Sequence, residues 1–250
     1  SYATKIMLVK KISIPEKKIR VLYNGINTLK EYDHSCHHKK NNLKFRIGFI
    51  GRLDSPKGVH VLIDAMHYLK NKNFELVIAG NGILESLLSE RASALNNVSF
   101  IGRVKNPYLF MSKIDLLVVP SIREPLGNVC LEAGLCRVPV LAANVDGLPE
   151  IIENKISGEL IDATEEISIN TVQGAISLPE FVVNPVKGNL SAPKQINPSI
   201  LAKRILKLSS QDDKLKYYSN ELNKKVKNKF SIDRYRRELH KMYREIDIKG

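Results

Sequence analysis

Short apolar runs alternate with helix-length amphipathic segments between residues 45 and 161, and this alternation constrains the fold more than any other feature of the chain. The runs are almost continuously hydrophobic, which is typical of strands buried on both faces of a parallel sheet. They are Phe45–Ile50, Phe74–Ala79, Val98–Ile101, Leu116–Val119, Val138–Ala142 and Glu159–Ile161. The pattern predicts an α/β fold with a Rossmann-like, doubly wound parallel sheet of six or so strands.

Helical spacing of apolar residues predicts what connects these strands. The first helix carries an apolar stripe, with Ser55-Pro56 as its cap and first position; the stripe is Val59, Leu62, Ile63, Met66 and Leu69. Further helices are predicted at 83–95, 107–113, 127–136, 199–209, 212–228 and 232–246. Ligands of such sheets bind beyond the carboxyl ends of the strands, so the strand-to-helix loops are the candidate sites.

The alternation divides the chain into an α/β core at 44–162, a segment at 163–197 and closing helices at 198–250. The 163–197 segment contains three prolines and no helical period, and it is long for a loop in a compact domain. It is therefore either a functional insertion or a poorly ordered excursion. Because it follows the carboxyl end of the last parallel strand, we expect it to lie beside the ligand-binding edge.

The net charge of +13 is concentrated at the two ends of the chain. Residues 1–46 and 201–250 each carry +8, whereas the middle carries −3. A basic surface attracts nucleic acid, anionic membranes or phosphorylated ligands, but many of these lysines also fit solvated helix faces. No nucleic-acid-reading motif accompanies the charge, so nucleic acid is not an expected partner. The longest apolar runs fall far short of the roughly 18 residues that indicate a membrane span.

Three cysteines cannot form a disulfide framework, which favours a reducing, cytoplasmic setting. Cys130 and Cys136 lie in an apolar stretch and are expected to be buried thiols. The third cysteine belongs to a cluster of potential metal ligands, which consists of His34, Cys36, His37 and His38. The spacing of these residues matches no zinc-binding pattern. No metal site is therefore expected.

The loop after the first strand reads Gly-Arg-Leu-Asp-Ser-Pro-Lys-Gly over residues 51–58. It places Arg52 and Lys57 ahead of a helix, and two cations at a helix N-terminus are suited to binding a diphosphate. The alternative is a surface pair without a ligand. This loop is not a Walker motif.

The loop after the second strand contains Gly80-Asn81-Gly82. It lacks the third glycine of a dinucleotide-binding fingerprint, so we interpret it as a turn.

The loop after the fourth strand continues into Glu-Pro-Leu-Gly-Asn-Val-Cys-Leu-Glu-Ala-Gly over residues 124–134. Pro125 keeps Glu124 out of the helix, which should begin near Gly127. A glycine at this point lets a ligand approach the first amides of the helix. Glu132 then lies in the second turn of the helix, about one turn deeper than the mouth of the site. Two glutamates at this spacing occur by chance in many chains, so the pair alone is weak evidence for a site.

Taken together, these motifs resemble the nucleotide-binding C-terminal domain of the family-four retaining glycosyltransferases, which have the two-domain GT-B fold. Five motifs occur in the same order: GRLDSPKG, Gly102-Arg103-Val104, Glu124-x7-Glu132, VPVLAANVDGLPEII and Gly158-Glu159-Leu160. The resemblance covers roughly residues 1–162 and 199–246. It does not explain the 163–197 segment.

The resemblance implies a role for each matching position. Arg52 and Lys57 would hold the donor diphosphate in place of a metal ion, and the backbone near Val104 would meet the base. Glu132 would bind the ribose hydroxyls, and Glu124 would hold the donor sugar together with backbone amides. The neighbouring donor-site positions are Gly51, Leu126, Gly127, Asn128 and Val129. The candidate catalytic residues are Arg52, Lys57 and Glu124. No cofactor is expected, and no metal ion either, because no Asp-x-Asp follows a strand near these loops.

Members of this family carry an acceptor-binding N-terminal domain, and we expect no counterpart of that domain within these 250 residues. Residues 1–43 are expected to be the linker and first strand, and the chain alone is expected to be inactive. The resemblance implies transfer of a hexose-type sugar from a nucleotide diphosphate sugar to a glycan or lipid-linked acceptor. It suggests cell-envelope polysaccharide or lipopolysaccharide synthesis in the cytoplasm, with peripheral contact to the anionic inner face of the membrane. The alternatives are a nucleotide-sugar epimerase and a non-catalytic nucleotide-sugar-binding module.

Overall fold

A computed structural model describes residues 1–27, 44–70, 72–169 and 172–247. Its centre is a six-stranded, all-parallel sheet in the order β3-β2-β1-β4-β5-β6. The strands are β1 Phe45–Ile50, β2 Phe74–Ala79, β3 Val98–Phe100, β4 Leu116–Val119, β5 Val140–Ala143 and β6 Glu159–Ile161. The strand order reverses between β1 and β4, which is where doubly wound sheets open a crevice for ligands. This confirms the predicted fold class.

Helices cover both faces of the sheet and bury its apolar side chains in one core. The helices are α1 Tyr2–Lys10, α2 Val59–His67, α3 Glu85–Arg91, α4 Pro107–Met111, α5 Asn128–Leu135, α6 Leu148–Ile151, α7 Pro198–Ser209, α8 Asp212–Lys229 and α9 Ile232–Asp247. Helix α2 packs on α7 and α5 packs on α8, so the closing helices complete the core. In the described part of the chain, no helix has both the length and the apolar composition needed to cross a membrane.

The expected first strand within residues 1–43 is wrong for the described part of that range. Tyr2–Lys10 is a helix, and residues 21–27 run extended without joining the sheet. Ile26 instead pairs with the start of α9, since its amide donates to the Phe230 carbonyl and its carbonyl accepts from the Ile232 amide. The cluster of potential metal ligands at residues 34–38 lies outside the described residues.

The starts of α2 and β5 differ from the sequence prediction for local chemical reasons. Ser55-Pro56 does not begin α2; it belongs to a 3-10 turn, Ser55–Lys57, whose cap is the Asp54 side chain. Helix α2 begins after Gly58, which adopts a left-handed conformation. Strand β5 begins at Val140 rather than Val138 because Pro139 has no amide hydrogen to give to the sheet.

The described residues of the 163–197 segment, 163–169 and 172–197, lie at the carboxyl edge of the sheet. Backbone hydrogen bonds between Glu165 and Gln195 join its two ends. Between them lies an antiparallel hairpin, β7 Val182–Asn184 and β8 Asn189–Ser191, against which α1 packs. The predicted placement beside the ligand-binding edge is confirmed by hydrogen bonds to loops at the carboxyl ends of β1 and β5.

A buried carboxylate links the end of the sheet to the closing helices. Glu159 on β6 is 2% exposed and accepts from Arg204, Lys214 and Tyr218, at oxygen distances of 2.8, 2.8 and 3.0 Å. Burial by itself would raise the pKa of this carboxyl. The hydrogen bonds from Lys214 and Tyr218 and the charge of Arg204 outweigh that effect, so the pKa lies below its ordinary value.

We therefore expect Glu159→Gln to lower the free energy of unfolding by about 2 kcal/mol at pH 7, because two partly buried cations lose their counter-charge. A lowered folded-state pKa stabilises the fold above the unfolded carboxyl pKa of about 4.3, and this contribution is lost as pH falls through the folded value. Urea unfolding at pH 7 and at lower pH measures both effects. The control is Glu221→Gln, which removes an exposed pair with Lys224 on α8 and should cost less than about 0.5 kcal/mol. An equal cost for both variants would contradict the prediction.

Candidate functional site

A cleft of about 420 Å³ opens at the carboxyl ends of β1 and β4, where the strand order reverses. One wall comes from the loop after β1 and the other from the loop between β4 and α5. Most of the sequence-predicted site residues line it: Gly51, Arg52, Lys57, Glu124, Leu126, Gly127, Asn128 and Val129. The topology therefore brings together two motifs that lie about 70 residues apart in the chain.

The first wall is held in place by backbone geometry. The Asp54 side chain accepts from the Ser55 amide at 3.1 Å and starts the 3-10 turn that ends at Lys57. Gly58 follows with φ of +65°, and a Cβ there would lie 2.1 Å from the Pro120 carbonyl oxygen. Only glycine lets the two walls approach this closely.

The second wall presents the beginning of helix α5. Pro125 leaves Glu124 in the loop, and Gly127, with φ of +97°, precedes the helix as its N-cap. The first amides of a helix have no partner within it and carry the positive end of its dipole. The amides of Asn128 and Val129 therefore lie at the cleft with this positive end, and their binding of an anion stays a prediction.

Lys57 and Glu124, two of the predicted catalytic residues, form an ion pair across the cleft. Lys57 Nζ lies 2.6 Å from Glu124 Oε2, and both side chains are largely shielded from solvent. The Ser121 hydroxyl donates to the same carboxylate at 3.4 Å. Arg52 lines the cleft with an exposed side chain. A polyanion entering the cleft would meet Arg52 directly and would compete with Glu124 for Lys57.

Glu132 lies in an adjoining cavity of about 280 Å³ rather than in the cleft itself. The two cavities share Asn24 and Asn128, whose side-chain amides form a 3.0 Å hydrogen bond. Desolvation raises the pKa of the half-buried Glu132 carboxyl. The arrangement is compatible with one extended ligand that passes from the cleft to Glu132.

Sequence reasoning missed the residues that form the outer wall of this second cavity. Asn24 comes from the extended N-terminal segment, and Ile232 and Tyr235 come from α9. They are more than 200 residues apart and belong to no shared motif, so no sequence signal links them. The tight approach at Gly25, where a Cβ would lie 2.8 Å from the Ile232 Cα, brings them together.

Val104 lies apart from both cavities. It follows β3 and is half-buried against the core, and neither cavity includes it among its lining residues. Its role near the base stays a prediction. Cys130 and Cys136 are buried as predicted. Within the described ranges, no three His, Cys, Asp or Glu side chains are grouped closely enough to hold a metal ion.

Comparison with known proteins identifies the family. The family described as "Glycosyl transferases group 1" matches residues 33–173. The uncharacterized glycosyltransferase MJ1607 of Methanocaldococcus jannaschii is 34% identical over 192 residues, which cover 69% of this chain and 49% of the relative. The capsular polysaccharide biosynthesis glycosyltransferase CapM of Staphylococcus aureus is 28% identical over 213 residues, covering 83% of this chain and 48% of the relative.

Among solved structures, Anabaena Alr3699/HepE in complex with UDP-glucose superposes with a TM-score of 0.74 at 21% identity, over 98% of this chain and 62% of that chain. At this identity the likeness shows the fold, which is that of the GT-B glycosyltransferases. The chain spans about half the length of the two curated relatives. Since the family match covers more than half of its residues, the chain belongs to the group 1 glycosyltransferases.

Proposed function

We propose that this chain is the donor-binding part of a retaining glycosyltransferase that takes a hexose-type sugar from a nucleotide diphosphate sugar. The observation that carries the proposal is the convergence of Arg52, Lys57 and Glu124 in one cleft at the N-terminus of α5. Two cations, a helix dipole and one carboxylate match the parts of such a donor, which has an anionic diphosphate and a hydroxyl-rich sugar.

The geometry suggests how these groups would act. When the donor diphosphate enters, Lys57 exchanges its bond to Glu124 for bonds to phosphate oxygens, and Glu124 becomes free to accept hydrogen bonds from sugar hydroxyls. When the bond between the sugar and the phosphate breaks, negative charge grows on the leaving diphosphate. Arg52, Lys57 and the first amides of α5 are already in place to stabilise that charge.

The relatives support the class of substrate. The name of CapM places that protein in capsular polysaccharide biosynthesis, and the HepE complex contains UDP-glucose. By analogy we propose a glycan or lipid-linked acceptor in cell-envelope polysaccharide or lipopolysaccharide synthesis, held by a further domain of the whole protein. The basic N- and C-terminal segments suit a cytoplasmic enzyme that contacts the anionic inner face of the membrane.

A calorimetric screen of UDP-glucose, GDP-mannose and ADP-glucose, each with and without EDTA, tests this proposal. We expect one of the three to bind, with the same affinity in EDTA, since Arg52, Lys57 and the helix dipole supply the positive charge that a metal would otherwise bring. Loss of binding in EDTA would contradict the metal-free site. If none of the three binds, the donor-binding function is wrong. Turnover by the full-length protein then separates an enzyme from a module that only binds nucleotide sugars.

Glu132→Gln should weaken binding of the ribonucleotide diphosphate about fivefold, because a charged acceptor for ribose hydroxyls becomes a neutral one. The matched control is the 2′-deoxyribonucleotide diphosphate, for which the loss should shrink. The pKa of this carboxyl is raised, so wild-type affinity should fall as pH drops through that raised value, whereas the glutamine variant should stay level. Unchanged ribonucleotide affinity in the variant, with the fold intact by circular dichroism, would remove Glu132 from the site.

A further inference from the structure

Two buried aspartates connect the 163–197 segment to the two walls of the donor cleft. Asp54 Oδ1 accepts from the Ser55 amide at 3.1 Å and from the Ile176 amide at 2.9 Å. The Asp146 carboxylate accepts from the Glu124 amide at 2.9 Å and from the Val183 amide at 2.7 Å. Each aspartate therefore binds one amide of a cleft loop and one amide of the segment.

These carboxylates are far from solvent, so their hydrogen bonds constrain the backbone strongly. Asp54 is 9% exposed and Asp146 is 4% exposed. Asp146 also adopts a φ of +47°, an uncommon conformation for a residue with a side chain. A buried carboxylate is costly unless its oxygens are satisfied, and here the backbone amides satisfy them.

Backbone hydrogen bonds reinforce the link at Asp146. Its own amide donates to the Val183 carbonyl at 3.0 Å, and the Gly147 amide donates to the Glu124 carbonyl at 3.1 Å. Residues 146 and 147 are thus hydrogen-bonded to the hairpin β7–β8 on one side and to Glu124 on the other. Glu124 is the residue that we propose holds the donor sugar. The position of Glu124 depends on this connection because Asp146 binds the amide of Glu124 itself.

On the basis of the proposed function, we infer that Asp146 is a positioning residue for Glu124 and that Asp54 is a positioning residue for Lys57. The 163–197 segment supports both aspartates. The segment holds both walls of the cleft from the outside, and neither aspartate lines the cleft itself. Small displacements of groups that hold a substrate cost affinity and rate, so a support of this kind has a functional consequence.

We expect the two aspartates to respond differently to replacement by asparagine. Asp146 uses both of its oxygens, one for each amide, so Asp146→Asn must turn an NH₂ group toward one of the two amides. Asp54 uses a single oxygen for both amides, and Asp54→Asn can keep that oxygen in place. The structure therefore predicts a larger effect of asparagine at 146 than at 54.

The test measures binding of UDP-glucose and of UDP to the chain by calorimetry, or of whichever nucleotide sugar binds in the screen together with its nucleotide diphosphate. Asp146→Asn should weaken nucleotide-sugar binding about tenfold and nucleotide diphosphate binding about twofold, because Glu124 meets the sugar and not the phosphates. The matched control is Asp115→Asn. Asp115 accepts the Arg46 amide at 2.7 Å at the opposite, amino edge of the sheet, and its replacement should change neither affinity more than about twofold.

Equal losses for the two ligands in Asp146→Asn would show a purely structural role and overturn the inference. If that variant does not fold, Asp54 provides the second test: Asp54→Ala should weaken nucleotide diphosphate binding at least about threefold more than Asp54→Asn does. Equal losses there would also overturn it. If the wild-type chain binds no nucleotide sugar, the proposed function fails and the inference fails with it, an outcome distinct from the loss of selectivity in the variants.

Discussion

Lys57→Ala is expected to weaken binding of a nucleotide diphosphate about 100-fold while changing nucleoside binding about twofold or less. A charge-assisted hydrogen bond to phosphate contributes roughly 1.5–3 kcal/mol, and each 1.4 kcal/mol corresponds to a factor of about ten. The structure adds a second cost. Lys57 Nζ lies 2.6 Å from Glu124 Oε2, so removal of Lys57 leaves a shielded carboxylate unpaired close to the proposed position of the phosphates. Arg52→Ala should cost less, since the exposed Arg52 leaves no such charge behind.

The double variant Lys57→Ala/Glu124→Gln separates the two contributions. Removing the unpaired carboxylate should recover about tenfold of the lost affinity for the nucleotide diphosphate, a ligand without the sugar that Glu124 would hold. Lys113→Ala, at the amino edge of the sheet, controls for the change in net charge and should have little effect. Equal losses for nucleoside and nucleotide diphosphate in Lys57→Ala would contradict the placement of the diphosphate. No recovery in the double variant would contradict the role of the ion pair.

The sheet was predictable because its central strands are largely buried, with every residue of β4 and β5 buried. Four of the six predicted strands have the bounds that the structure gives them, and β3 and β5 differ by one or two residues. Strands of a parallel sheet covered on both faces appear in the sequence as nearly continuous apolar runs, and such runs are easy to recognise. The N-terminal helix was not predicted, because Tyr2–Lys10 has almost no amphipathic pattern and is stabilised by contacts with the distant hairpin β7–β8. Contacts of that kind are not encoded in local spacing.

The candidate site was predictable where its residues lie in loops at the ends of neighbouring strands, and unpredictable where the fold assembles it from segments outside those loops. Arg52, Lys57 and the start of α5 lie at strand ends, and the topology alone brings strand ends together. The second cavity combines Asn24, Glu132 and Tyr235, which no motif connects. The link between Asp146 and the 163–197 segment depends on side-chain direction in three dimensions.

Gly58→Ala is expected to lower the free energy of unfolding by about 3 kcal/mol and to weaken nucleotide diphosphate binding in parallel. An alanine with a φ of +65° costs roughly 1–2 kcal/mol by itself. Its Cβ would also lie 2.1 Å from the Pro120 carbonyl oxygen, and a backbone atom cannot move aside as the end of a side chain can. The two walls of the cleft must separate, and overpacking of this kind adds about 1–3 kcal/mol.

Gly188→Ala is the matched control for this variant. Gly188 has nearly the same φ, +60°, but a Cβ there would meet nothing within 4 Å. Its replacement should cost only the conformational part, about 1–2 kcal/mol, and should leave Lys57 and Glu124 in place. Urea unfolding and calorimetric binding of both variants separate backbone strain from the forced opening of the cleft. If the two variants lose the same stability and Gly58→Ala keeps its affinity, the close approach of residues 58 and 120 does not shape the site. If only Gly58→Ala loses affinity for the nucleotide diphosphate, the distance between the two walls determines whether the diphosphate is held.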